Sequence, residues 1–269
     1  MRDKVDHDLH IHSRLSSCSN DPEQTTDRIL QYAKDNGLSR ICITDHYWDR
    51  EIDGASDWYR VQDLEHISGA LPLPQAEGID FLFGAETEFT RKLQVAMPKS
   101  RFDGFDFVII PTTHLHMNGL TIEQRDVDSP DTNRIRAELW VKRLDALLSQ
   151  DLPFRKIGIA HLACGLISRG GFEDYLSVLS GISGEEMERL FARAAEVGCG
   201  IELNQDDINR MQKAPDAVGR MFRIAKNQGC KFYMGSDAHH PSGLLHAKES
   251  FEYAVDELGL EESDKFNIG

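Results

Sequence analysis

Seven short apolar runs alternate along this chain with amphipathic helical stretches, and nearly all of them end in a side chain able to bind a metal ion. The runs are Asp8–Ser13, Arg40–Thr44, Ile79–Glu86, Phe105–Thr112, Ile157–Ala160, Gly200–Asn204 and Cys230–His239. Helical periodicity fills the intervals at 23–36, 58–70, 135–148, 184–197 and 217–227, and a last helix spans 244–258. Runs this short and apolar, bounded by glycine and polar residues, read as buried strands. Strand-helix-strand repetition predicts a parallel sheet, because parallel neighbours need a crossover. The expected fold class is α/β, one barrel domain over 1–269 with long βα connections at about 47–78 and 115–134.

A barrel of parallel strands delivers its carboxyl ends to one rim. Onto that rim the sequence puts His10, His12, His46, Glu86, His114, His161, Asp237 and His239. One histidine at a strand end is ordinarily a hydrogen-bonded loop residue, but eight ligand-type residues on one rim point to a metal centre. In an extended Asp8-Leu9-His10-Ile11-His12, alternation puts Asp8, His10 and His12 on one face and Leu9 and Ile11 on the other. His116 shares the face of His114 and is the alternative ligand there. Asp8 and Asp45 are placed to accept the second ring proton of a ligand imidazole. Glu88 lies on the face of Glu86; Glu202 and Asn204 share a face that can meet substrate or a ligand histidine. His7, His66, His240 and His246 belong to no motif and read as surface or supporting residues.

With 45 acidic against 30 basic residues the formal charge is −15, which repels a polyanion and disfavours long nucleic acid. A small anionic substrate stays compatible, since bound cations make a site locally positive. No stretch is long enough to span a membrane and no apolar signal region precedes the first run, so the expected location is the cytoplasm. The five cysteines, Cys18, Cys42, Cys164, Cys199 and Cys230, are scattered with no Cys-x-x-Cys pair and read mostly as core residues. The acidic end, Glu261-Glu262-Ser263-Asp264, is expected to fray.

Six ordered motifs, Asp8-Leu9-His10-Ile11-His12-Ser13, Ile43-Thr44-Asp45-His46, Gly84-Ala85-Glu86, the histidines after the fourth and fifth runs, and Ser236-Asp237-Ala238-His239, resemble the polymerase and histidinol phosphatase (PHP) superfamily of phosphoesterases. The resemblance covers the whole chain. It implies a distorted (β/α)7, TIM-like barrel and two or three divalent ions, Zn, Mn or Fe. By motif, His10, His12, Glu86 and Asp237 would hold one ion, Glu86 would bridge to a second held by His114 and His161, and His46 with His239 would hold a third. A metal-bound water held through Glu86 and Asp237 would attack phosphorus. Cys18 occupies the place where histidinol-phosphatase-like members often carry another histidine, and either its thiol or Asp21 is the substitute to examine.

The expected activity is hydrolysis of a small phosphomonoester, L-histidinol phosphate first and nucleotides next. Among the rim arginines, Arg14 and Arg169 are the expected phosphate contacts. The alternatives are a metal-dependent amidohydrolase, which also carries His-x-His on a first strand but commonly bridges through a carboxylated lysine, and a non-catalytic metal-binding module that regulates a partner.

Overall fold

The computed structural model describes residues 1–268. The apolar runs form β1 (His7–Ile11), β2 (Arg40–Ile43), β3 (His46–Tyr47), β4 (Asp80–Thr87), β5 (Phe107–Pro111), β6 (Ile157–Ala160), β7 (Gly200–Asn204) and β8 (Lys231–Gly235). Every pairing is parallel, in the order β1-β2-β4-β5-β6-β7-β8, and the two-residue β3 continues the line of β2 alongside β4. The sheet therefore has seven staves. Its ends meet at a seam between β1 and β8, where Asp237 N–H donates to the His10 carbonyl at 2.7 Å and His12 N–H to the Ala238 carbonyl at 3.1 Å. Lower on the seam the His7 ring replaces a backbone acceptor, its Nε2 taking the Met234 N–H at 3.1 Å. His7 is thus a buried closure element, not a surface residue.

Around the barrel run α1 (Thr26–Asn36), α2 (Asp57–Arg60), α3 (Leu64–Ile67), α4 (Gln124–Val127), α5 (Thr132–Leu148), α6 (Phe172–Gly181), α7 (Gly184–Val197), α8 (Gln205–Lys213), α9 (Pro215–Asn227) and α10 (Ala247–Leu258). α1 ends as its sequence predicts, with Gly37 at φ 62° donating to the Ala33 carbonyl. The helix expected over 58–70 is instead two single turns, α2 and α3, and a 3-10 turn. α6 and α8 lie in stretches where no helix was expected. Outward strand residues such as Ile41, Val108, Ile110, Ile159 and Ile201 pack with the helices in the main core. Burial of these branched side chains, at about 25 cal/mol per Å² of apolar surface, binds the helical layer to the barrel.

Inward residues form a separate cluster of Leu9, Cys42, Phe107, Ile109, Ala160, Tyr233 and Phe266. Phe107 and Tyr233 meet edge to face across the lumen with ring centroids 5.1 Å apart. Gly158 makes room for them, since a Cβ there would lie 2.5 Å from the Tyr233 hydroxyl. Phe266 plugs the end of the barrel at which the strands begin. It is 5% exposed and its N–H donates to the Phe232 carbonyl at 2.7 Å. The acidic end before it does not fray. Glu262 accepts the Lys4 N–H at 2.6 Å, and Lys265 pairs with Asp3, Asp6 and Glu262. Lys265 of the tail thus offsets carboxylates from both chain ends, and the Met1 amino group lies 3.9 Å from Glu261.

A bulge in β1 overturns the expected alternation. Asp8 pairs with Ile41 but Ile11 with Ile43, so one extra residue is accommodated between them. Leu9 then faces the lumen cluster, whereas Ile11 joins the outer core. Asp8 points away from the histidines, accepting from Tyr32 Oη of α1 at 3.0 Å and from Ser236 N–H at 3.0 Å.

Candidate metal centre

Beyond the bulge the rings of His10 and His12 enter the rim, their Nε2 atoms 3.1 Å apart. Asp237 Oδ1 lies 3.3 and 3.2 Å from them, and Glu86 Oε2 3.7 and 3.4 Å. Their hydrogen-bond partners assign the protons. His10 Nδ1 faces the Glu202 carboxylate at 2.7 Å and must donate to it. His12 Nδ1 meets Ser16 Oγ at 2.9 Å, and that hydroxyl already gives its proton to Asp45 at 2.7 Å, so Nδ1 donates here too. Both Nε2 atoms therefore carry lone pairs aimed at one another and at two carboxylates.

The same pattern recurs around the rim. His114 Nδ1 donates to Glu88 at 2.8 Å and His239 Nδ1 to the Asp237 carbonyl at 2.8 Å. His161 Nδ1 donates to Thr113 Oγ1 at 3.0 Å while that hydroxyl turns to the His161 carbonyl. His161 Nε2 is then left 3.3 Å from Glu86 Oε1. His46 departs from the pattern, with its Nδ1 itself 2.9 Å from Glu86 Oε2. Three groups of ligand atoms result, each within 4.8 Å: His10, His12 and Asp237; Glu86, His114 and His161; His12, His46 and His239.

These residues fit divalent cations. Acceptors converging in a dry site with no proton between them are unfavourable unless a cation joins them, and the nitrogen and oxygen donor set suits Zn, Mn or Fe. Two of the residues also hold strained backbones: His161 has φ 29° and Asp237 φ 52°, in the region that glycine normally occupies. Without a cation, protons take its place. Burial opposes charging of His10, but Asp237 and Glu202 outweigh it and raise its pKa well above the ordinary value. Burial likewise favours the neutral form of Glu86, yet the His46 ring and hydrogen bonds from His10, His12 and His161 hold it well below the carboxylate range.

The eight residues singled out on the rim thus converge, with His12 shared between two groups. His116 stays outside them. Its ring is edge-on to that of His114, its Nδ1 has no hydrogen-bond partner, and burial, then the His114 charge, lowers its pKa to about 4. Cys18 lines the cavity but its sulfur joins no ligand group; burial, then the charges of Glu86 and Asp237, pushes its thiol up to about 12. Asp21 pairs with His240 instead. Arg14 and Arg169 are exposed and do not line the cavity; Arg169 donates to the His116 carbonyl at 3.2 Å. Asp45 supports His12 only through Ser16, and Asp8 supports backbone rather than imidazole. The sequence reading gave no role to Glu88, Ser16 and Thr113, which orient ligand rings; the Glu86-x-Glu88 spacing was the one available signal.

Among solved structures the chain resembles the histidinol phosphate phosphatase of Lactococcus lactis subsp. lactis, complexed with zinc, L-histidinol and phosphate, at TM-score 0.56 and 15% identity, over 97% of this chain and 98% of that one. A dihydropteroate synthase of Xanthomonas albilineans with 4-aminobenzoic acid matches at TM-score 0.42 and 11% identity, over 93% of each chain. No curated protein matches in sequence. Among the described residues no helix is long and apolar enough to cross a membrane. The PHP domain model matches residues 8–232, from the first aspartate of β1 into β8, and the chain belongs to the PHP domain family.

Proposed function

We propose that the chain is a metal-dependent phosphoesterase hydrolysing a small phosphomonoester, with L-histidinol phosphate the first substrate to test and nucleotides the next. The observation that carries this reading is the meeting of three adjoining ligand groups, two of them holding the carboxylates Glu86 and Asp237, on one rim of a PHP fold. Two or three divalent ions held there, Zn, Mn or Fe, would supply Lewis acidity toward a phosphoryl group and lower the pKa of water.

The chain's own residues set the geometry. Glu202, Ser16, Glu88 and Thr113 fix the imidazole tautomers, so that Nε2 of His10, His12, His114 and His161 faces the site. Glu86 presents Oε1 to His161 and Oε2 to His46, which suits a bridging carboxylate. His116 lines the cavity beside His114, with its unpartnered Nδ1 buried. Arg14 and Arg169 are the proposed phosphate contacts. Both are exposed, and Arg169 is tethered beside His116.

Inorganic phosphate release from a panel of phosphomonoesters, with Mn, Zn or Fe supplied, tests the reading beside the His10→Ala variant. Turnover lost in that variant supports it. Turnover untouched by the substitution, or none with any phosphomonoester, overturns it.

A further inference from the structure

Beyond the ligand groups the wall of the cavity, about 190 Å³ in volume, changes character. Trp58, Met117 and Leu166 line it there, and no lysine or arginine does. Its two carboxylates, Glu86 and Asp237, are already engaged by histidines. Trp58 is 39% exposed and Leu166 37%, which leaves large apolar surface in contact with water beside the ligand groups. Apolar surface of this kind at a site rim gains when a ligand covers it.

The indole is also held in place. Its ring packs edge to face on Tyr59, with centroids 4.6 Å apart at 88°, and against the His46 ring at 5.1 Å and 65°. Tyr59 is buried, and its hydroxyl donates to Glu88 at 2.9 Å, the same carboxylate oxygen that receives His114 Nδ1–H. The short helix α2, capped by Ser56, thus ties the indole to the ligand framework. An aromatic ring fixed on one side and open on the other is a stacking platform.

Resting on the phosphoesterase reading, we propose that Trp58, with Met117 and Leu166, forms the leaving-group subsite and selects phosphomonoesters whose leaving group carries a flat, unsaturated ring. A flat ring covers the indole, the Met117 thioether and the Leu166 side chain, and so takes their apolar surface out of water.

Calorimetric binding of phenylphosphonate and methylphosphonate to the metal-loaded protein tests the subsite without needing turnover. Wild type is expected to bind the phenyl compound about tenfold more tightly, in line with the worth of aromatic contacts. Trp58→Ala should bring the ratio near one, and Trp58→Phe should keep most of it. Circular dichroism and the metal content of each variant confirm that fold and centre are intact. A wild-type ratio near one, or a ratio that Trp58→Ala leaves unchanged, overturns the subsite whether or not phosphate esters are hydrolysed. A preserved ratio without turnover of phenyl phosphate supports the aromatic subsite and removes the phosphatase reading alone.

Discussion

Glu202 accepts the Nδ1–H of His10 at 2.7 Å with one oxygen and the backbone N–H of His161 at 2.6 Å with the other. One fully buried carboxylate on β7 therefore couples ligands from two different groups, and one of those ligands has the strained φ noted above. Glu202→Ala removes the acceptor that fixes the His10 tautomer and releases the His161 backbone. Supporting residues of this kind are worth roughly 10–100-fold in metal affinity. Titration against a chromophoric chelator should show a loss in that range, larger than that of Asn204→Ala, whose Nδ2 only touches Glu202 at 3.2 Å. Equal affinities for Glu202→Ala and wild type would remove the coupling role.

Gly235, at the end of β8, makes this contact possible. A Cβ there would collide with the Glu202 carboxylate and come within 2.7 Å of the His10 Cβ. The backbone cannot yield easily, because Asn204 and Gly235 are registered partners in the β7–β8 ladder. Gly235→Ala is expected to lower metal affinity at least as much as Glu202→Ala. It should also reduce stability by about 1–3 kcal/mol, the usual penalty for overpacking. Chelator titration and a denaturant midpoint on the same sample separate the two effects.

The charge balance of the rim predicts opposite pH trends with and without cations. In metal-free protein, burial opposes charging of His10, His12 and His161, but carboxylates raise the pKa of His10 and His12, and Cys164 followed by Glu86 raises that of His161. A histidine raised on folding gives stability that is complete below its unfolded pKa of about 6.5 and is lost as pH climbs through the folded value. His46 and His239, both lowered chiefly by burial, are neutral in folded and unfolded chains alike above that pH and contribute no slope. Chelator-treated protein should therefore lose thermal stability between about pH 6.5 and 8. Protein saturated with Zn or Mn should gain over the same window, because cation binding must displace those protons. Parallel slopes for the two forms would contradict this assignment of charge.

Much of this was legible in the sequence because strand ends in a parallel barrel meet regardless of what lies between them. His10, Glu86, His161 and Asp237 need only their strands to be found. The β1 bulge was not legible. It depends on how Leu9 and His10 share the space opposite Cys42, a packing choice that alternation cannot express. Arg136 and Arg143 in α5 show the same limit: they look like solvent-facing charges yet are 1% exposed. Their guanidinium groups donate to carbonyls of Leu115, Ile167 and Thr112 at the strand ends. Loops that curl over a metal rim leave carbonyls without backbone partners, and only the folded structure shows which donors supply them.

The carboxyl-terminal plug separates stability from chemistry. Phe266 lies among Leu9, Phe107 and Tyr233, with ring centroids 5.9 Å from Phe107 and 6.3 Å from Tyr233, at the barrel end opposite the ligand groups. Phe266→Ala opens a cavity that Gly158 and Gly200 cannot fill, since neither carries a side chain. The expected loss is about 3–5 kcal/mol, the range for deleting a buried aromatic ring. Metal affinity in the folded protein should stay within about twofold of wild type, because Phe266 itself packs at the opposite barrel end from the ligand groups; each 1.4 kcal/mol would be a tenfold change. Glu202→Ala should show the converse, a large change in affinity for a smaller change in midpoint. If Phe266→Ala unfolds at the wild-type denaturant concentration, the segment from Glu261 onward does not hold the barrel shut, and the tail behaves as its acidic sequence alone suggests.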